Sequence, residues 1–229
     1  FEAVHHESAV TWQLTRAEFD KLLLEHAADS GATVHQGVLV KQVLFESDQA
    51  VGVEVQMQDG SREKFFAKVV VDATGQTAML SNKFRWRVRD PKLKKAVLYS
   101  YWKDVHREPD LNGGATLVLR TEKGSNGWFW YIPLDNGITS IGIVADPEYL
   151  VQGRGQDLAK IYQEEIERCE PCRKRVGNST RVDKIYSILD YSYRSKQNAG
   201  NGFIIIGDAY GFLDPIYSSG VLLALKMAE

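Results

Sequence analysis

Two segments near the C-terminal end carry residue types suited to holding a hydroxyl-rich or anionic ligand. The first is Gly202-Phe203-Ile204-Ile205-Ile206-Gly207-Asp208. Its apolar, β-branched run reads as a buried strand that stops at Gly207-Asp208. A carboxylate at a buried strand end can accept hydrogen bonds from ligand hydroxyls. The second is Pro215-Ile216-Tyr217-Ser218-Ser219-Gly220, followed by Val221-Leu222-Leu223-Ala224-Leu225. Proline and two small residues open an apolar helix there. The first N–H groups of a helix have no partner inside it, so Ser219 and Gly220 offer a place for an anion. Both segments also suit a plainer use, as an N-cap aspartate, a tight turn and a second cap at Ser218.

Other residues raise the same choice. Lys68-Val69-Val70-Val71-Asp72 ends at Ala73-Thr74-Gly75, a strand-end turn. Arg16 sits in the first turn of a helix, where an exposed, solvated arginine is the plain reading. Trp128, Trp130 and Ile132 share one face of a strand while Phe129 and Tyr131 share the other, and a sheet core would use the same residues. Cys169-Glu170-Pro171-Cys172 closes a helix outside any βαβ setting and has no second pair for zinc, so a structural use is expected. Of five histidines, His26, His35 and His106 are scattered and the adjacent His5-His6 is poor chelate spacing, so no metal site is expected. Gly153-Arg154-Gly155 lacks the third glycine and the leading strand of a phosphate loop, and no Gly-x-Ser-x-Gly occurs.

The elements that must hold these residues follow from periodicity. Residues 9–14 alternate as a strand. Thr15 with Glu18 reads as a capping box opening a helix to about residue 30, with Phe19, Leu22, Leu23, His26 and Ala27 on one face and Gly31 at its end. A strand begins at Val34. Residues 38–45 and 51–57 alternate around Asp48-Gln49, and Asp59-Gly60 makes a turn. Residues 68–72 are apolar enough for a strand buried on both faces of a parallel sheet. Residues 98–103, 116–119, 128–133 and 138–144 read as an antiparallel sheet, 157–169 as an amphipathic helix and 182–193 as a tyrosine-rich strand. At 229 residues, 44% hydrophobic and 25% charged, the chain can bury a real core. A net charge of −2 gives no reason to expect nucleic acid or a membrane surface, and no apolar run reaches the roughly 20 residues of a membrane span. Two cysteines do not make a disulfide framework, which fits a cytoplasmic setting.

The strings also carry a resemblance. Gly207-Asp208 resembles the third flavin fingerprint of the FAD-dependent monooxygenase superfamily, and Phe212-x-x-Pro215-x-x-Ser218-x-Gly220 with Trp128-x-Trp130-x-Ile132-Pro133 is similar to the two signatures of flavin-dependent halogenases. Hydroxylases usually read Pro-x-x-Gly-x-Gly at the second of these places. Leu14-Thr15-Arg16 with Phe19, Asp20, Leu23 and Ala27 resembles the family helix whose arginine lies near the flavin, and Val71-Asp72-Ala73-Thr74-Gly75 resembles its second dinucleotide motif.

The resemblance implies an α/β fold of the para-hydroxybenzoate hydroxylase type. A Rossmann-like FAD-binding parallel sheet, incomplete here, would comprise residues 1–80 and 200–229, with residues 81–199 inserted as an antiparallel-sheet substrate domain. It implies that Arg16, Ala73, Thr74, Gly75, Gly207, Asp208, Pro215 and Gly220 contact FAD, that the Ser219 and Gly220 N–H groups hold chloride or bromide, and that Trp128, Trp130 and Tyr217 lie near flavin and substrate. Reduced FAD would come from a separate flavin reductase. The first FAD motif, strand-Gly-x-Gly-x-x-Gly, does not occur, and by the resemblance it and the catalytic lysine fall before Phe1. Relatives acting on free tryptophan carry a glutamate where this chain has Tyr217, which implies a phenolic or carrier-tethered substrate. An aromatic hydroxylase, an isoprenoid-chain reductase and a non-catalytic module without FAD stay open as alternatives.

Overall fold

A computed structural model describes residues 13–121, 125–189, 191–214, 216 and 218–229. Helix α1 (Arg16–Asp29) is followed by strands β1 (Leu39–Glu46), β2 (Gln49–Gln56), β3 (Arg62–Phe66) and β4 (Val70–Asp72), helix α2 (Met79–Lys83) and strand β5 (Arg87–Arg89). Then come β6 (Ala96–Lys103), β7 (Leu117–Arg120), β8 (Trp128–Pro133), β9 (Ile138–Ala145), α3 (Pro147–Leu150), α4 (Leu158–Arg168) and α5 (Glu170–Val176). The last elements are β10 (Thr180–Arg181), β11 (Tyr186–Leu189), β12 (Tyr193–Ser195), β13 (Ala199–Gly200), β14 (Phe203–Ile205), β15 (Gly211–Phe212) and α6 (Gly220–Ala228).

The chain divides into two compact units: Val34–Lys95 with Asp190–Glu229, and Phe1–Thr33 with Ala96–Leu189. These limits differ from cuts at 80/81 and 199/200. Side-chain bonds explain part of the difference. Gln13 donates to the Gly114 carbonyl (2.7 Å) and the Thr116 hydroxyl (2.6 Å), and Thr15 Oγ1 donates to Asp135 (3.3 Å), so the segment around α1 groups with 96–189. Likewise β5 pairs with β12, which draws residues 87–95 and 191–199 into the other unit.

In the first of these units β4 and β14 run parallel, Val70 opposite Phe203 and Asp72 opposite Ile205, with β13 antiparallel on the other edge of β14. An antiparallel meander, β1-β2-β3, lies in the same unit, and β5, β12 and β15 form a third small sheet. Val43, Ala50, Val70, Leu80, Phe203, Ile205 and Ala209 make one buried cluster. Burial on both faces does not hold for residues 68–72. The strand is only three residues long, and Val69 and Val71 are 56% and 53% exposed. In the described sheet β4 is an edge strand, so alternate side chains point away from the cluster.

In the other unit β10, β6, β9, β8 and β7 pair antiparallel in that order, and β11 also pairs with β6. Leu98, Trp102, Phe129, Tyr131, Ile141 and Ile143 supply one face and pack with Ile161, Tyr162 and Ile166 of α4. This is the strand-face division expected for residues 128–133, and it places Phe129 and Tyr131 rather than the tryptophans in the core. Tyr162 is satisfied inside that core. It accepts from Trp102 Nε1 (3.1 Å) and donates to the Ile141 carbonyl (2.8 Å). Asp157 caps α4 by accepting from the Ala159 and Lys160 N–H groups.

Several local expectations change. Thr15 precedes α1 but makes no side-chain cap bond, because its hydroxyl goes to Asp135, so no capping box forms. None of the α1 residues is buried, and Leu22 is 62% exposed. Most of the strand expected over residues 9–14 lies outside the described residues, and Gln13 and Leu14 are irregular. The separate strand expected from Val34 does not form, residues 34–38 being coil and turn, and the strand expected over 38–45 is β1. Residues 182–193 do not form one strand: β11 joins β6 while β12 joins β5 and β15, in different units.

The cysteine pair does more than close a helix. Cys169 ends α4 and also stands at the N-cap of α5. Both cysteines are buried and neither is in a disulfide, and burial pushes the Cys172 thiol well up, away from the reactive thiolate. We expect neither thiol to react with an aromatic disulfide reagent in the native protein at pH 8, and both to react after unfolding. Fast native labelling would contradict this packing. Arg154, in the glycine-flanked loop, pairs with Glu164 (2.6 Å) and with the buried Glu165, which fixes that loop without a phosphate. Among the described residues no group of three His, Cys, Asp or Glu side chains could hold a metal, and no helix is long and apolar enough to cross a membrane.

Candidate functional site

The parallel pair brings two of the expected motifs together. Parallel strands end on the same side, so β4 delivers Ala73-Thr74-Gly75 and β14 delivers Gly207-Asp208 to one edge. Each continues as a single tight helical turn, Gly75–Thr77 and Gly207–Ala209. Asp72 builds the first turn. Its buried carboxylate accepts from Thr74 N–H (3.1 Å), the Thr74 hydroxyl (2.6 Å) and Leu80 N–H (2.8 Å). This Asx-type turn is legible from an aspartate two places before a threonine, but sequence reasoning assigned Asp72 no such part.

Gly75 and Gly207 both have positive φ, +60° and +56°, where a side chain is strained. At Gly75 no described heavy atom lies within 4 Å of where a Cβ would stand. At Gly207 that point lies 3.5 Å from Ala224 Cβ, so α6 packs directly against the turn. Asp208 is half-buried, its carbonyl accepts a hydrogen bond from the Tyr193 hydroxyl, and the neighbouring Ala209 carbonyl accepts from Ser81 (3.3 Å).

The loop from Asp208 towards α6 is tethered at several described residues. Gly211 and Phe212 pair with β12, Ser192 donates to the Leu213 carbonyl, and Asp214 accepts from Ile216 N–H (2.9 Å). Pro215 and Tyr217 lie outside the described residues. Ser218 has φ +50°, and Ser219 stands at the N-cap of α6 with no side-chain cap bond. A Leu223 N–H to Ser219 carbonyl bond (2.9 Å) starts the helix. Around Gly220, as around Gly75, the Cβ position is open among the described atoms. Leu222, Leu223 and Leu225 of α6 are 59%, 47% and 49% exposed.

The remaining expected residues belong to the other unit. Arg16, on α1, forms an exposed two-bond pair with Asp20 (2.9 and 2.8 Å), and that guanidinium holds the Asp20 carboxyl below its ordinary range. Trp128 and Trp130 stand on the sheet face away from the α4 core. Trp130 donates to Ser140 Oγ (3.1 Å) and covers Gly142, where any Cβ would come within 2.2 Å of the indole. Tyr99 lies 5.7 Å from the Trp130 ring and stacks on Tyr186 at 5.0 Å, so this face is an aromatic surface that no single motif announced.

Residues 2–229 match the protein-family model described as tryptophan halogenase. The chain belongs to this family. It is 32% identical over 232 residues to the flavin-dependent halogenase armH3 of Armillaria mellea, covering 93% of this chain and 46% of that protein. It is 33% identical over 224 residues to the 1H-pyrrole-2-carbonyl-[peptidyl-carrier protein] chlorinase of Pseudomonas fluorescens, covering 96% and 49%. Among solved structures, the myxobacterial chondrochloren halogenase CndH, described as a variant of FAD-dependent halogenases, superposes with a TM-score of 0.83 at 33% identity, covering 94% of this chain and 50% of that one. The chain thus spans about half the length of the curated relatives it matches. The mixed α/β architecture is that of the halogenase structures. Of the readings left open by the motifs, membership of this family supports the halogenase over the hydroxylase and the reductase.

Proposed function

We propose that the protein containing this chain is a flavin-dependent halogenase, using reduced FAD, oxygen and chloride or bromide on a phenolic substrate or one tethered to a carrier protein. The observation that carries this reading is the pairing of open backbone with a nearby carboxylate. Gly75 and Gly220 have no described atom where a side chain would stand, and Asp208 lies in the turn against which α6 packs. A planar cofactor can approach such a backbone where any larger residue would block it.

In this reading the unit holding β4 and β14 binds the cofactor and the unit holding the antiparallel sheet faces the substrate. When bound, reduced flavin supplies the electrons with which oxygen activates the halide. Ala73, Thr74, Gly75 and Gly207 present backbone to the cofactor, and the Asp208 carboxylate accepts from its ribityl hydroxyls. The Ser219 and Gly220 N–H groups, at the positive end of α6, hold the halide, and Pro215 is a further FAD contact. Arg16 supplies a positive charge near the flavin, and Trp128 and Trp130 wall off water from the reacting atoms. Tyr217 leaves the halide site without the carboxylate that would serve as a base for an indole, which favours substrates that carry their own electron density. The carrier-bound pyrrole in the name of one relative agrees with that class. A separate reductase would supply reduced flavin, and two buried cysteines without a disulfide suit a cytoplasmic setting.

The test is to supply full-length protein with reduced FAD, oxygen and bromide, offering a carrier-loaded pyrrole and a free phenol side by side. Mass spectrometry should show bromide-dependent product from one of them. Hydroxylated product that forms without halide would replace this reading with the hydroxylase.

A further inference from the structure

Asp208 is central to the proposed site, and what holds it in place comes from a different strand. Tyr191, Ser192, Tyr193 and Ser195, in and beside β12, are each only 2% exposed. Adjacent residues of a strand point to opposite faces, yet two neighbours here reach the same loop. Ser192 Oγ donates to the Leu213 carbonyl and the Tyr193 hydroxyl donates to the Asp208 carbonyl. The strand therefore grips the segment from Asp208 to Leu213 near both ends, while Ser195 N–H bonds the Tyr210 carbonyl between them (2.6 Å).

Over the Tyr193 ring lies the guanidinium of Arg87, 3.7 Å from the ring centroid. Arg87 Nε is buried and has no hydrogen-bond partner among the described residues. A buried donor left unpaired works against stability, so fold stability alone does not account for an arginine at this place. What the guanidinium does contribute is attraction to the ring face, which orients the phenol and draws electron density from it. A phenol so polarised is a stronger donor to the carbonyl it meets. Burial pushes the Tyr193 hydroxyl up while the Arg87 charge works the other way, consistent with a guanidinium close enough to matter.

We infer that Arg87 and Tyr193 are a positioning pair for the cofactor: the guanidinium orients the phenol, and the phenol pins the peptide of Asp208, so that its carboxylate is placed before the ribityl chain arrives. The inference rests on the FAD reading above and adds to it two residues that no motif marked. A pinned peptide means that less ordering is needed on binding, which raises affinity without a new contact to the ligand.

The test compares Tyr193→Phe, Arg87→Met and Arg87→Lys in the full-length protein, by fluorescence titration with FAD and riboflavin and by competition with ADP. Tyr193→Phe is expected to weaken FAD and riboflavin each by up to about 10-fold, through looser ordering of the Asp208 peptide, and to leave ADP affinity unchanged. Arg87→Met should weaken both flavins in the same direction by about 3-fold, and Arg87→Lys, which keeps a cation over the ring, should restore most of it. Equal loss of riboflavin and ADP affinity would mean that β12 merely supports the fold, and unchanged flavin affinity would mean that the pin is idle; either overturns the inference. Should Tyr193→Phe fail to fold, the contrast between the two Arg87 variants decides. Parent protein that binds no flavin overturns the FAD reading and the inference together, whereas parent binding with indifferent variants overturns the inference alone.

Discussion

A Gly220→Val variant is expected to fold as the parent does and to lose halogenation by on the order of 100-fold, equivalent to about 2.7 kcal/mol. Gly220 is the first residue of α6, and no described atom lies within 4 Å of its would-be Cβ, so no described residue blocks the new Cβ. Glycine is also a poorer helix residue than valine, so the apo protein should be no less stable. The N–H group survives the substitution. Loss of activity would therefore come from a side chain standing where halide or flavin must approach, and it should appear as a raised halide requirement with an unchanged melting temperature. Normal turnover by this variant would show that no ligand comes near Gly220, and the halide role of the Ser219 and Gly220 N–H groups would fall with it.

Asp208→Ala is the second large effect. Removing one acceptor from a partly buried site should weaken FAD by about 1–3 kcal/mol, or roughly 5- to 150-fold. The Tyr193 bond goes to the Asp208 carbonyl and not to its carboxylate, so the turn itself remains pinned in the alanine variant. Asp208→Asn, which keeps one acceptor oxygen, should lose less. Flavin titration of the three proteins checks this, with thermal unfolding of the apo forms alongside. If FAD affinity is the same in all three, Asp208 serves only the local turn.

The parts of the site legible in the sequence are those whose residues lie within a few positions of one another. Gly207-Asp208 after an apolar strand, Asp157 before an amphipathic helix and the face division of residues 128–133 all follow from spacing, and the structure has each in place. Residues 68–72 read as a strand of a parallel sheet and Phe203–Ile206 as a buried strand, but neither run names its partner, and it is the structure that pairs β4 with β14. The failures have one form. Thr15 and Glu18 have capping-box spacing, but the Thr15 hydroxyl finds Asp135, 120 residues away. Residues 68–72 look like a strand buried on both faces, but in the described sheet nothing pairs beyond β4. The tyrosines of 182–193 continue an alternating pattern across a point where the pairing partner changes from β6 to β5 and β15.

The family motifs and the two turns at the ends of the parallel pair can be read along the chain, because strand periodicity and turn chemistry are properties of neighbours in sequence. Packing sets the rest: Asp72 directs its carboxylate to Thr74 and Leu80, Phe129 and Tyr131 rather than the tryptophans fill the core, and Arg87 and Tyr193 stand behind Asp208. These are choices among several partners of the right chemistry. Which one wins depends on what the packed chain brings within about 3 Å, a distance that no local spacing encodes.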